Sequence, residues 1–225
     1  VAPQLNGSSA VIDSALGHRV GLWNPSMYAA ATSQTPLTAL AQGLPAVGLY
    51  RGPDLTHARP SSMRPLVTSR LGLAPLPPAA AALLPSDRAA AARLLAAEIH
   101  PDWPQADLLD VLGIHARLNE AGSVWGIWTL VELATATVIG SVGFHGAPDA
   151  RREVEIGFDV VADRRRRGYC TEGTTALIDW ARARHGITTV RARCDLANLA
   201  SARSLERLGF ARVGQPDSFV HWCLD

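Results

Sequence analysis

The sequence predicts an α/β fold, a mixed sheet with helices on both faces, and three observations carry that expectation. Residues 153 to 160 alternate, with Val154, Ile156, Phe158 and Val160 turned one way and Glu155, Gly157 and Asp159 the other. That is the period of a half-buried strand. From Thr171 onward Ala176, Leu177, Trp180 and Ala181 recur at helical spacing, so this strand feeds a helix through an arginine- and glycine-containing turn. The third observation is order: strand, helices, three strands, helix, strand, helix, two strands. Helices interspersed among strands cover both faces of one sheet.

Each element has a local reason. Arg70, Leu71, Leu73 and Leu76 mark a first strand that Pro77-Pro78 ends. Ser86 and Asp87 cap an alanine-rich helix from Arg88 to Glu98. Pro101, Trp103 and Pro104 interrupt it, and residues 105 to 119 return to helical spacing through Leu108, Leu109, Leu112 and His115. Residues 125 to 133 and 138 to 144 read as strands joined by a turn over 132 to 137. After the strand at 153 and its helix, residues 188 to 193 form a strand, a helix follows, and residues 210 to 213 and 219 to 224 close the chain as two short strands.

Residues 1 to 66 differ in texture. They hold two acidic residues, Asp13 and Asp54, with Gly and Pro scattered throughout. One local element stands out: Thr35 as N-cap, Pro36 at the first helical position and Gly43 after the end. The expectation is an N-terminal extension over 1–66, poorly ordered or loosely docked, ahead of a domain over 67–225. Met63 stands just before that domain and is a candidate for its natural start.

Composition narrows the function. A chain of 225 residues with 48% hydrophobic residues can bury a sizeable core. No apolar run approaches the ~20 residues of a membrane span. The net charge of +1 gives no support to general polyanion binding. All 21 basic side chains of the Lys+Arg total are arginine. Cys170, Cys194 and Cys223 are odd in number and lack metal-ligand spacing, so neither a disulfide framework nor a metal site is expected, and a cytoplasmic location fits.

The strand-to-helix turn is where chemistry concentrates. It aims unpaired backbone N–H groups and the positive end of a helix dipole at one point, for which a phosphate is the natural occupant. Gly168 permits a closer approach than a β-carbon would. The alternative for Arg164 to Arg167 is a solvated basic face or a nucleic-acid contact. Against nucleic acid, no aromatic interleaves the arginines and no second basic stripe accompanies them.

The spacing Arg165-x-x-Gly168-x-Cys170 resembles the Arg/Gln-x-x-Gly-x-Gly/Ala signature of the GNAT N-acetyltransferase superfamily, with Cys170 where that pattern has Gly or Ala. Downstream, Asn198, Ser201, Glu206, Gly209 and Phe210 are similar to a second motif of the same superfamily, in the same order. Over about residues 67 to 225 the chain most resembles the branch that holds the ribosomal-protein N-terminal acetyltransferases. The resemblance implies a mixed, mostly antiparallel sheet of about six to seven strands and acetyl-CoA as co-substrate. It also implies direct acetyl transfer to a primary amine, either a peptide or protein α-amine or a small-molecule amine. A non-catalytic acyl-CoA-binding or phosphate-binding module is the reading from another class. No nucleic-acid or membrane partner is expected, and the assembly is a monomer or homodimer.

On this resemblance Arg165, Arg166, Arg167, Gly168, Tyr169, Cys170 and Thr171 surround the pyrophosphate. Val160 and Val161 offer backbone groups to the pantetheine arm as one strand adds to another. Glu155 is the candidate base, against a plain role in an ion pair with Arg151 or Arg152. Ser201 is the candidate acid toward the leaving thiolate. Asn198 is either a helix N-cap or a hydrogen-bond partner of the arm and is grouped, with Ser201, among the cofactor contacts. His145 borders the acceptor pocket or is structural, and Trp103, Trp125 and Trp128 fill the core or line the amine site.

Overall fold

The computed structural model describes residues 65–118, 123–214 and 218–225. The expected helix at 35–43 and the start at Met63 lie outside these residues. In order the chain forms β1 (Leu66–Val67), β2 (Leu71–Pro75), α1 (Pro78–Leu83), α2 (Arg88–Leu95), β3 (Glu98–Ile99) and α3 (Ala106–Leu118). There follow β4 (Ile127–Glu132), β5 (Thr137–Phe144), β6 (Glu153–Val160), α4 (Tyr169–His185), β7 (Thr189–Asp195), α5 (Leu199–Arg207), β8 (Ala211–Val213) and β9 (Phe219–Leu224).

The strands lie in the order β1-β2-β4-β5-β6-β7-β9-β8, with β3 beside β5. The pairing is antiparallel except at β6–β7 and β3–β5. The described sheet has nine strands, more than the six to seven expected, because β1 and β3 are two residues long and leave no periodicity to read. The strand expected around Arg70 to Leu76 is β2, and it ends at Pro75, ahead of Pro77-Pro78; Pro78 instead opens α1, since its missing N–H is no loss at the first helical position. Asp87 caps α2 as expected, accepting from the Ala90 N–H at 2.8 Å.

The core forms on both faces. On one, α4 buries Leu177, Ile178 and Ala181 against the sheet. The approach is close: a β-carbon on Gly173 would stand 2.6 Å from Leu130 Cδ2. On the other face α3 holds His115, whose Nε2 lies 3.0 Å from the Leu76 carbonyl and whose Nδ1 accepts from the Ile127 N–H at 3.3 Å. Burial lowers its pKa, so this histidine joins two strand ends. Trp103 and Trp128 are fully buried, and Trp125 stacks on Phe144, Trp180 and His185, so the tryptophans belong to the core and its margin.

One irregularity positions the site. β6 and β7 run parallel but pair only through Glu153, Val154 and Glu155 with Thr189, Val190 and Arg191. Beyond that point β6 keeps β5 alone and β7 keeps β9 alone, so the strands part. Because they are parallel, their C-terminal ends, and the helices that follow, open at the same end of the sheet, where ligands of such folds bind.

Candidate active site

The loop from β6 to α4 is built to present N–H groups. Ala162–Arg164 forms a 3₁₀ turn, Arg166 takes φ 61° and Gly168 takes φ 84°. Two left-handed residues so close together turn successive amides into one concavity, an anion nest. Gly168 caps α4 without a side chain, and the first helical bond is Glu172 N–H to Gly168 C=O at 3.0 Å. Tyr169, Cys170 and Thr171 therefore direct their N–H groups outward with no acceptor among the described residues.

The four arginines divide their work. Arg164 pairs with Asp163 at 2.5 Å and Glu132 at 3.4 Å. Arg165 turns inward, donating from Nε to the Val160 carbonyl at 2.8 Å and from Nη2 to Gln105 Oε1 at 3.1 Å. Arg166 and Arg167 are exposed and form no ion pair with the described residues, which leaves their charge to the mouth of the loop. Tyr169 is buried and packs: its hydroxyl donates to Glu132 Oε1 at 2.6 Å, and Thr135 and Arg164 serve the other oxygen.

Along β6, the Val161 N–H donates to Ile139 and the Glu155 carbonyl accepts from His145, so odd-numbered residues turn their backbone groups toward β5. Period two then turns those of Ile156, Phe158 and Val160 toward the gap. The Val160 carbonyl is already bonded by Arg165 and Gln105, and Val161 is committed to the sheet. The backbone groups of Phe158 and the N–H of Val160 thus face the gap beyond the last β7 pair; the sequence pattern singled out Val160 but not Phe158.

Glu155 lies on the face opposite α4, at the last pair before the strands part. It does not pair with Arg151 or Arg152. Its Oε1 accepts from Arg193 Nε at 2.8 Å and stands 3.5 Å from His145 Nδ1. Burial alone would raise its pKa, but His145 and Arg193 together hold it down at about 2. Asp159, on the same face, is buried with Ser141 and Gln105 on its two oxygens. Cys170 is a poor nucleophile: burial first, and then the Asp159 charge, push its thiol up to about 12. Burial raises Cys194 and Cys223 as well.

After β7, Asn198 caps α5, its Oδ1 accepting from the Ser201 N–H at 3.1 Å, and both side chains are buried. They lie at the same end of the sheet as the loop from β6 to α4 because β6 and β7 are parallel. The structure thus brings the two motifs together from segments more than twenty residues apart. Gln105, Glu132, Glu172, Arg70 and Arg193 support the site and were not foreseen. Only Arg193 left a trace, sharing a strand face with Arg191.

Among the described residues no helix is long and apolar enough to cross a membrane, and no three metal-ligating side chains converge. A model of the acetyltransferase (GNAT) domain matches residues 70–211. The chain is 32% identical over 128 residues to the uncharacterized N-acetyltransferase YjdG of Bacillus subtilis, which spans 56% of this chain and 76% of that protein. A ribosomal-protein-S5-alanine acetyltransferase from Vibrio fischeri superposes with TM-score 0.53 at 13% identity, over 72% of this chain and 96% of that one. An acetyltransferase from Agrobacterium tumefaciens superposes with TM-score 0.51 at 22% identity, over 75% and 98%. At these identities the two structures establish a shared fold.

Proposed function

The chain belongs to the GNAT acetyltransferase family, whose acyl donor is acetyl-CoA, and from that premise we propose direct acetyl transfer to a weakly basic primary amine, the α-amine of a peptide or protein. The nest at Arg166–Thr171 takes the pyrophosphate, with Arg166 and Arg167 as counter-charges. The backbone of Phe158 bonds the pantetheine arm in the gap between β6 and β7. Ser201, beside the Asn198 cap, donates toward the leaving thiolate. Cys170, with its thiol raised to about 12, supports transfer without a covalent enzyme intermediate.

The observation that carries the choice of amine is the Glu155–Arg193 pair. A lysine-type ammonium has a pKa of about 10.4, and handing its proton to a carboxyl held at about 2 is uphill by about 11 kcal/mol. An α-amine near pKa 8 is substantially neutral at pH 7.4, at a cost below about 1 kcal/mol, and needs no strong base. Glu155 then serves to hold an N–H of the incoming amine, and orientation supplies most of the rate.

Free-thiol release measured with peptides carrying either a free α-amine or only a lysine amine, from pH 6.5 to 9, tests the reading. The α-amine peptides should react faster at pH 7. A lysine peptide that is the better substrate at pH 7 would overturn the assignment. Acetyl-CoA binding without thiol release toward any amine, small-molecule amines included, would favour a non-catalytic acyl-CoA-binding role.

A further inference from the structure

The residue that shapes the phosphate loop comes from the other end of the chain. In the turn between β1 and β2, Thr68, Ser69 and Arg70 converge on one carboxylate, that of Glu172 in the first turn of α4. Glu172 Oε1 accepts from Thr68 Oγ1 at 2.6 Å, Ser69 Oγ at 3.0 Å and the Arg70 N–H at 2.9 Å. Its Oε2 accepts from Arg70 Nε at 2.7 Å and Nη2 at 2.6 Å. Burial would raise the Glu172 pKa, but the hydrogen bonds from Thr68, Arg70 and Ser69 outweigh it and lower it.

Arg70 then reaches past Glu172 into the loop. Its Nη1 donates to the Arg167 carbonyl at 2.8 Å, and its guanidinium lies 4.5 Å from the centroid of the Tyr169 ring. A β-carbon on Gly168 would meet Arg70 Nη2 at 3.3 Å. One planar side chain thus bonds the residue before Gly168 and stacks on the residue after it, while Glu172 Oε2, accepting from both Nε and Nη2, fixes its plane. The left-handed backbone of Arg166 is uphill for a residue with a β-carbon, so something must hold it.

We propose that Arg70, oriented by Glu172, is a positioning residue that holds the Arg166–Thr171 amides in their phosphate-binding arrangement. The inference rests on the cofactor reading above. It predicts that Arg70 matters for the nucleotide end of the cofactor and not for its thioester end. Glu172 neutralises much of the Arg70 charge, so the effect comes from loop shape more than from attraction.

The test compares two ligands in the full chain by calorimetry or competition: acetyl-CoA, and S-acetylpantetheine, which lacks the pyrophosphate. Arg70→Met keeps an unbranched stem and removes the fork, with its contact on the Tyr169 ring. It should weaken acetyl-CoA binding by about 10- to 100-fold and leave S-acetylpantetheine within about two-fold. Arg70→Lys, which keeps the charge without the planar fork, should recover little of the loss. If Arg70→Met does not fold, Glu172→Gln provides the same comparison with a smaller expected loss of a few-fold. Unchanged acetyl-CoA affinity, or equal weakening of both ligands, overturns the proposal. A wild-type protein that fails to bind acetyl-CoA would instead remove the cofactor reading on which it stands.

Discussion

Arg193 on β7 spans the point where β6 and β7 part and donates to Glu155 at 2.8 Å. The Glu155 carboxylate is therefore already neutralised by a fixed cation. For a peptide α-amine, Glu155→Gln should lower kcat/KM less than about 10-fold, with little pH dependence above pH 8. A loss of about 10²–10⁴-fold toward a lysine-type amine, shrinking toward high pH as solvent removes the proton, would instead show Glu155 acting as its base and overturn that reading. Steady-state pH profiles of the two substrates distinguish the cases. Calorimetric affinity for acetyl-CoA should not change in either.

The same pair leaves a mark on acid stability. Glu155 is held at about 2, below its ordinary 4.5, so its contribution is complete above about pH 4.5 and is lost as pH falls toward 2. The share is at most about 3 kcal/mol, given a side chain that is 26% exposed. Glu155→Gln should lower Tm near neutral pH, and the gap to wild type should close between pH 4.5 and 2. A gap that stays constant across that range would show that the ion pair contributes nothing to folding.

Gly168→Asp places a carboxylate at the nest and an L side chain at φ 84°. Loss of acetyl-CoA affinity should exceed about 3 kcal/mol, from charge repulsion and displaced amides. The backbone strain should cost a further one to two kcal/mol or so of stability. Unchanged calorimetric affinity in a folded variant would remove the loop from the cofactor site.

Much of this was legible in the sequence because it is local. Alternation over residues 153 to 160 and the Arg165-x-x-Gly168 spacing each describe one short segment, and β6, the loop and α4 lie where they were expected. What escaped is what pairs across the chain. Glu172 takes its partners from Thr68, Ser69 and Arg70, and Glu155 takes Arg193 in place of the neighbouring Arg151 or Arg152. Those choices follow from strand order and register, which no periodicity encodes. β1 and β3 were missed for a different reason: two residues are too few to alternate.

A chain beginning at Met63 should keep its Tm within a few degrees and its acetyl-CoA affinity, since β1 starts at Leu66 and the Thr68–Arg70 turn is retained. A chain beginning at Leu71 should lose affinity, having lost Arg70. Insolubility of the Met63 form would place residues 1–62 within the fold.

The short seam between β6 and β7 also has a mechanical meaning. Five strands and β3 lie on one side of it and three on the other, and three residue pairs join them within the sheet. The sheet is thus two plates joined by a narrow seam, and the proposed transfer site lies at that seam. A thioester arm bonded to the edge of one plate and resting near α5 on the other would act as a brace. The stiffness of the whole molecule would then follow the acyl donor: melting temperature should rise with the logarithm of acetyl-CoA concentration, and amide exchange should slow on both plates at once.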